Sequence, residues 1–401
     1  MSACLAPGTP APTPTELAPP GLTIITATAL PTETAPPPTP TLEPSPSVVV
    51  PSATPITTPT TAQPSAVPAT AAPATAPVAK VTQSVNAAVG SGHVYFPPVV
   101  MANYMPWYDT GSWSQGCTAD TPAAGPYLSE DGATIARHIA EGRRAGLDGF
   151  NVHWISPGDR TDAVLAAVLA QGGGDFLAAA TFLNHSFTGA PRSTVAANLS
   201  YIIDTYGGHP GYLKLGGRPV IFFAGMPRVD TSGGLTPEAA WGEIRAAADP
   251  NYNAIWMAEG LDPVFLDVFD GLYVYKVDHA CCPYAYQSAE RWVGWVRAAE
   301  QASGRQKYFA ATMQPGWNDV ASTSASCVDN RVGVETFARD REGGAYYERT
   351  FNSAMATRAD ILIVNSFNEW VEGSAIEPSV AYGDFYLDLT AQFAARYRAN
   401  R

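Results

Sequence analysis

Eight short apolar runs, rich in β-branched and aromatic residues, recur between residues 99 and 367. They are VVMANYM (99–105), DGFNVHWI (148–155), FLAAATFL (176–183), RPVIFFAG (218–225), NAIWMAEG (253–260), DGLYVYKV (270–277), KYFAATM (307–313) and ILIVNSF (361–367). Segments with helical periodicity lie between them, including 131–146, 194–207, 236–248 and 288–302. Apolar strands that alternate with helices predict a parallel sheet covered by helices.

Eight strand–helix units favour an α/β fold of the (β/α)8 TIM-barrel type over residues 91–401. A doubly wound open sheet is the alternative. That fold would be expected to carry a glycine-rich phosphate loop after its first strand, whereas residues 102–116, ANYMPWYDTGSWSQG, carry bulky aromatics. Thr236 followed by Pro237 predicts a helix start, and Gly146 and Gly207 predict helix ends.

Residues 1–90 differ in composition from the rest of the chain. Residues 1–80 hold 20 of the 36 prolines, four charged residues and no aromatic, and the first aromatic is Tyr95. Without large apolar side chains, this segment cannot bury enough surface to offset the entropy of ordering its backbone. Residues 1–90 are therefore predicted to form a disordered Pro/Thr-rich stalk.

The cysteines point to an exported protein. The start, MSACL, is similar to the processing site of a bacterial lipoprotein, which would make Cys4 the lipid-bearing anchor; an incidental cysteine in a disordered tail is the alternative. We therefore expect a secreted or surface-anchored protein. The other four cysteines, Cys117, Cys281, Cys282 and Cys327, predict one or two bridges running to Cys117 or Cys327.

Charge and motifs exclude several functional classes. The net charge of −13 argues against nucleic acid as a partner, because phosphate binding needs clustered Lys and Arg. The chain contains no run of 18 apolar residues, so no membrane-spanning helix is predicted. HExxH, CxxC and Gly-x-Ser-x-Gly motifs are absent. We therefore expect no metal site, no other cofactor and no serine hydrolase site. The protein is expected to be a monomer.

Polar and aromatic side chains follow the ends of the predicted strands, where a (β/α)8 barrel builds its active site. Aromatic faces stack on the C–H groups of sugars, and acids and amides bind sugar hydroxyls, so the expected partner is a carbohydrate. The residues predicted to bind it are Tyr104, Trp107, Tyr108, His153, Trp154, Asn184, Glu259, Tyr275, Trp317, Asn318, Asn368 and Trp370.

The stretch NSFNEWVEGSAIEP, residues 365–378, directly follows the last apolar run and contains three glutamates. A pair of carboxylates flanking a glycosidic bond is the usual device for cleaving it, with one member kept protonated by apolar surroundings. Glu369 and Glu372 are predicted to be that catalytic pair, and Glu377, beyond Gly373, is expected to matter less. A solvated acidic loop is the alternative, but it would not explain the interleaved Phe and Trp.

The same stretch is similar to the SFNEWHEGTQIEP signature of glycoside hydrolase family 99, the endo-α-mannosidases and endo-α-mannanases. NYMPWYD, AGLDGFNVHWI, FDGLYVYKV and MQPGWND follow in the family's order, so the resemblance covers roughly residues 97–380. It implies retaining hydrolysis within an α-mannoside chain. In that reaction Glu369 would assist the sugar's own 2-hydroxyl in attacking the anomeric carbon. Glu372 would protonate the leaving oxygen and then act as a base towards water.

Two positions depart from the family pattern. Val371 stands where the family has a histidine between the glutamates, and Asn184 stands where the third strand of the family ends in a glutamate. The resemblance therefore implies the catalytic pair and leaves the sugar and linkage open. The alternatives are a non-catalytic glycan-binding barrel and a related hydrolase acting on another cell-surface polysaccharide. Retention of both glutamates favours a hydrolase, since binding alone would not require a paired acid and base.

A chain that begins at Ser91 is expected to keep the melting temperature and activity of the full chain, because residues 1–90 lack core-forming side chains. Calorimetry and hydrolysis assays on both chains measure this. A large loss of either property would mean that the segment packs on the barrel.

Overall fold

The computed structural model describes residues 92–400, apart from residues 115, 261, 281, 283, 324–326 and 328–335. Within this part, eight parallel strands close into a barrel. They are β1 (Val99–Tyr104), β2 (Gly149–Trp154), β3 (Leu177–Phe182), β4 (Arg218–Phe223), β5 (Ile255–Glu259), β6 (Gly271–Tyr273), β7 (Tyr308–Met313) and β8 (Ile361–Val364). Each strand pairs in parallel with the next, and β8 pairs with β1. The predicted (β/α)8 barrel is confirmed, whereas the predicted stalk lies outside the described residues.

Among the described residues, seven long helices follow these strands. They are α1 (Gly132–Arg144), α2 (Arg160–Gly172), α3 (Arg192–Tyr206), α4 (Pro237–Ala248), α5 (Ala289–Ser303), α6 (Ala345–Ala356) and α7 (Phe385–Ala399). In the connection from β5 to β6, the described residues contain only a 3-10 helix, Pro263–Asp267. No described helix is both long enough and apolar enough to cross a membrane.

Smaller elements complete the fold. Two short helices follow β1 and β3, at Thr110–Ser114 and Asn184–Thr188. The two-residue strand Lys214–Leu215 pairs antiparallel with β4, and Trp317–Asn318 pairs antiparallel with Ala338–Arg339. Further 3-10 helices lie at Met226–Arg228, Ala285–Ser288, Val320–Thr323 and Glu342–Gly344.

Local sequence signals explain where several helices begin and end. The side chain of Thr236 accepts a hydrogen bond from the backbone N–H of Ala239, and Pro237 occupies the first turn of α4. Gly146, just past α1, has a φ of +70°, which a residue with a Cβ rarely adopts. Gly207 ends α3 in a right-handed conformation. These predicted boundaries are confirmed.

Alternation along the strands divides the buried side chains into two groups. Met101, Ala179, Phe222 and Ile363 belong to the core inside the barrel. Their neighbours along the strands belong to the larger core between the sheet and the helices. Which of these two cores a residue belongs to therefore follows from its position along the strand.

A disulfide joins the loop after β1 to the loop after β7. Cys117 and Cys327 form it, with Cα atoms 5.0 Å apart. This confirms the prediction of at least one disulfide bridge, and Cys281 lies outside the described residues. Because β7 and β1 flank β8 in the barrel, the bridge links the two loops on either side of the glutamate-bearing loop.

Replacing Cys117 and Cys327 together by serine is expected to lower the melting temperature, because the bridge joins residues 210 apart and limits the freedom of the unfolded chain. Such bridges contribute about 2–4 kcal/mol. Thermal unfolding of the oxidised parent and of the double variant measures the effect, with Cys4→Ser as the matched control expected to leave it unchanged. An unchanged melting temperature in the double variant would contradict the expectation.

Candidate active site

The loop after β8, residues 365–377, carries all three glutamates and is closed by its own hydrogen bonds. The backbone N–H of Ser366 donates to the carbonyl of Ser374 at 3.1 Å, and Ile376 N–H donates to the carbonyl of Ser366 at 3.0 Å. The hydroxyl of Ser366 accepts from the backbone N–H of Glu369 at 2.7 Å. We call this segment the glutamate loop, and these contacts fix its backbone before any substrate binds.

Glu369 is almost fully buried, with 3% of its surface exposed. Its Oε1 accepts hydrogen bonds from the Tyr108 hydroxyl at 3.4 Å and from the Val371 N–H at 3.1 Å. The Tyr108 hydroxyl also accepts from the Trp370 N–H at 2.9 Å. Burial, together with the neighbouring carboxylate of Glu369, raises the pKa of Tyr108 well above its usual value. Tyr108 therefore keeps its proton and remains a donor to Glu369.

Glu372 is held by a different tyrosine. The hydroxyl of Tyr275, two residues past β6, donates to Glu372 Oε2 at 2.7 Å. The backbone N–H of Asn318, after β7, donates to the carbonyl of Glu372 at 2.7 Å. Tyr275 and Trp107 are partly exposed and flank His153, with ring centroids 5.9 and 5.4 Å away. The structure thus brings both predicted catalytic carboxylates to one barrel mouth with aromatic side chains beside them.

Asn368 and Trp370 hold the glutamate loop in place. The Asn368 side chain accepts from the Met105 N–H at 2.7 Å and donates to the Met105 carbonyl at 3.0 Å, so it is tied to the loop after β1. The indole N–H of Trp370 donates to Glu377 Oε2 at 3.1 Å. Both side chains are buried, at 0% and 2% exposure, so their observed contacts position the loop.

Glu377 is the buried centre of a polar cluster that the sequence did not reveal. Its carboxylate accepts from the Tyr127 hydroxyl at 3.0 Å and lies 3.0 Å from His138 Nε2. The other ring nitrogen of His138 lies 2.8 Å from the Tyr104 hydroxyl. Sequence reasoning missed Tyr127 and His138, because one lies in an ordinary loop and the other in the middle of a helix.

Metal-ligand residue types come together here, in α1 and the glutamate loop. One ligand atom from each of His138, Glu141 and Glu377 lies within 4.8 Å of the others. The Arg137 guanidinium lies 3.1 Å from His138 Nε2 and 3.6 Å from Glu377 Oε1. The Arg137 cation therefore already lies against Glu377 and His138, and the arrangement is an ion-pair cluster with a buried centre.

Tyr104 and Trp154 are corrections to the predicted substrate-binding set. Both end their strands on the outward-facing side of the barrel wall and have no exposed surface. Trp154 stacks on Phe182 and donates through its indole N–H to Asp162 at 2.9 Å. Neither side chain has surface that a glycan could contact, because strand alternation directs both into the core under the helices.

The remaining predicted residues are spread around the mouth. Trp317 is 2% exposed, with its ring stacked on Phe337 and the Lys276 ammonium 4.5 Å from its centroid. Asn318 is partly exposed. Glu259, at the end of β5, is partly exposed, and burial raises its pKa. Asn184 begins the short helix after β3, and its side chain lies outside the described part.

Comparisons with known proteins find similar sequences. The sequence profile of Glycosyl hydrolase family 99 matches residues 105–398. The Glycoprotein endo-alpha-1,2-mannosidase of Xenopus laevis is 25% identical over 307 residues, with 69% of this chain and 65% of that protein covered. A Glycoprotein endo-alpha-1,2-mannosidase-like protein of Homo sapiens is 25% identical over 311 residues, with 69% and 64% covered. The chain thus spans just under two thirds of the length of these relatives.

The fold is similar to that of a solved structure as well. The GH99 endo-alpha-mannosidase from Bacteroides thetaiotaomicron superposes with a TM-score of 0.61 at 23% sequence identity. The match covers 75% of this chain and 98% of that one. At this identity the likeness supports the barrel architecture.

Glu141→Gln is expected to raise stability at pH 8 and leave it nearly unchanged at pH 4. Burial, reinforced by the charge of Glu377, raises the pKa of Glu141 from 4.5 to about 7. Because the pKa of Glu141 is raised in the folded state, the parent has its full stability below the unfolded-state pKa and loses stability as the pH rises through about 7. Melting temperatures of parent and variant at both pH values measure this, with the exposed Glu290→Gln as control. Equal differences at both pH values would contradict the expectation.

Proposed function

This chain belongs to glycosyl hydrolase family 99, and on that basis we propose that it hydrolyses α-mannosidic bonds within a glycan, using Glu369 and Glu372. The observation that carries the proposal is the pairing of each glutamate with its own tyrosine donor at one barrel mouth. The two carboxylates lie on one loop, but their tyrosine donors follow different strands, β1 and β6. They can therefore act separately on two sides of a reacting bond.

Glu369 is the base in the proposed first step. It takes the proton of the sugar's 2-hydroxyl while that oxygen bonds to the anomeric carbon and the glycosidic bond breaks. Glu372 gives its proton to the departing oxygen. The contacts of Glu369 support this assignment, because the Tyr108 hydroxyl and the Val371 N–H both present hydrogens to its carboxylate.

The second step returns both protons. Water attacks the anomeric carbon and gives its proton to Glu372, and the bond from the anomeric carbon to the 2-oxygen breaks. Glu369 then returns the proton to that oxygen. Two inversions at one carbon give net retention, and both glutamates end in their starting protonation states.

The surroundings of the pair support a sugar substrate. Trp107 and Tyr275 are partly exposed aromatics beside the pair, and such faces stack on sugar rings. The Tyr275 hydroxyl also aligns Glu372 by its 2.7 Å hydrogen bond. We further propose a monomer that acts outside the cell, either secreted or anchored through a lipid on Cys4.

Exchanging the two glutamates for glutamine separates their roles. Glu372→Gln is expected to nearly abolish cleavage of a natural mannose glycan while sparing substrates with an activated leaving group, which need little protonation. Glu369→Gln should impair both substrates, because assistance to the 2-hydroxyl is needed whatever departs. Losses on the order of 10²–10⁴-fold in kcat are expected for the affected reactions. Steady-state kinetics with both substrate types measure this.

Glu377→Gln serves as the comparison within the same loop. Its carboxylate contacts Tyr127, Trp370 and His138, so the exchange should lower the melting temperature and affect catalysis less than either of the other two. Equal, modest losses for all three variants, with glycan binding intact, would overturn the catalytic pair and favour an acidic binding loop. A panel of α-mannans, mannose oligosaccharides and other bacterial glycans identifies the sugar.

A further inference from the structure

An arc of buried polar side chains lies on neighbouring strands of the barrel wall at the end that carries the glutamate loop. Its members lie on or directly after β7, β8, β1, β2 and β3, which are consecutive around the barrel. They are Gln314, Asn365, Asn103, Asn151, His153 and Thr181. Five are 0% exposed, and His153 is 5% exposed. We call this set the polar arc.

Strand register places these side chains together. Asn103 pairs with Asn151 across β1 and β2, and His153 pairs with Thr181 across β2 and β3. The Asn103 amide donates to Asn365 Oδ1 at 3.1 Å. Asn103, Asn365 and Thr181 have the same parity along their strands as Met101, Ile363 and Ala179, which form the core inside the barrel. These polar groups therefore face the barrel interior.

Most polar atoms of the arc have no hydrogen-bond partner among the described residues. These atoms are the side-chain oxygen and nitrogen of Asn151 and of Gln314, both ring nitrogens of His153 and the Thr181 hydroxyl. Asn103 Oδ1 and Asn365 Nδ2 also lack a partner. A buried polar group left without a partner destabilises the folded state, and native proteins rarely keep several together. The arc as a whole therefore calls for a ligand.

The chemistry of the arc restricts what that ligand is. Amide nitrogens and hydroxyls donate, amide oxygens accept, and none of the six side chains carries a fixed charge. Burial lowers the pKa of His153 to about 3, so its ring is neutral and offers one donor and one acceptor. A cation would need acceptors only, and an anion donors only. A mixture of both fits a hydroxyl group.

We propose that the polar arc binds neutral hydroxyl groups, contributed by ordered water or by a sugar of the substrate, and forms the inner floor of the active site. His153 connects the arc to the cleft, since its ring lies beside the partly exposed Trp107 and Tyr275. Asn365 connects it to the catalytic pair, because it begins the loop that carries Glu369 and Glu372. If the hydroxyl belongs to a sugar (the sugar arm), the inference rests on the proposed function. If it belongs to ordered water (the water arm), the inference is independent of the proposed function.

Crystal structures at high resolution, without ligand and with a mannose oligosaccharide bound to Glu372→Gln, test the proposal directly. An ordered water oxygen within hydrogen-bond distance of Asn151 or Thr181 in both structures supports the water arm. A sugar hydroxyl at that position supports the sugar arm. The absence of any such oxygen from both structures overturns the proposal. If no mannose glycan binds, the proposed function fails, but the ligand-free structure still decides the water arm.

Thr181→Val and Asn151→Leu give a thermodynamic test with little change in side-chain size. If the arc holds water, each exchange should lower the melting temperature by about 2 °C or more. If it holds a sugar hydroxyl, oligosaccharide affinity in the Glu372→Gln background should fall about tenfold instead. A melting temperature that stays or rises, with affinity unchanged, would contradict both arms, because an apolar isostere relieves an unpartnered polar atom. Thr350→Val calibrates the loss of a satisfied group, because the Thr350 hydroxyl makes three hydrogen bonds to backbone groups of Gln314 and Tyr347.

Discussion

The paired hydrogen bonds between the Asn368 side chain and the backbone of Met105 are the contact on which the active site depends. They tie the glutamate loop to the loop after β1 through one side chain with no exposed surface. Tyr108, three residues after Met105, can therefore reach Glu369 and the Trp370 N–H at the same time. The Tyr127 hydroxyl joins the same two segments, because it donates to Glu377 at 3.0 Å. Catalytic carboxylates gain from such prior fixation, since it removes the entropy of arranging them during the reaction.

Three glutamates within nine positions have three different environments. Glu369 accepts from a tyrosine and a backbone N–H, and Glu372 accepts from a second tyrosine. Glu377 lies further in, between a tyrosine, an indole and a histidine, where its charge is balanced by neighbouring Arg137. Identical side chains in one loop thus have different environments, because distant segments of the chain supply different hydrogen-bond partners. Two lie at the barrel mouth, and the third supports them from below.

The sequence predicted the strands well, because their apolar character is local and continuous. It also predicted that Glu369 and Glu372, the proposed catalytic pair, lie at the mouth of the barrel, since both follow a strand. Tyr104 and Trp154 were misplaced because being near a strand end does not determine which face a side chain occupies. Strand alternation, counted from Met101 or Phe150, would have separated them from Asn103 and His153. Tyr127 and His138 could not be found in this way, because their importance comes from contacts with Glu377, about 240 or more residues away.

Val371, between the two proposed catalytic glutamates, packs with Cys117 and Cys327 in a small buried cluster. The side chain at this position therefore lines a crosslink as well as the space between two acids. A histidine placed there would have to bring its polar ring against the sulfur atoms of the bridge. In this protein the residue between Glu369 and Glu372 therefore also packs on the disulfide that links the loops on either side of the glutamate loop.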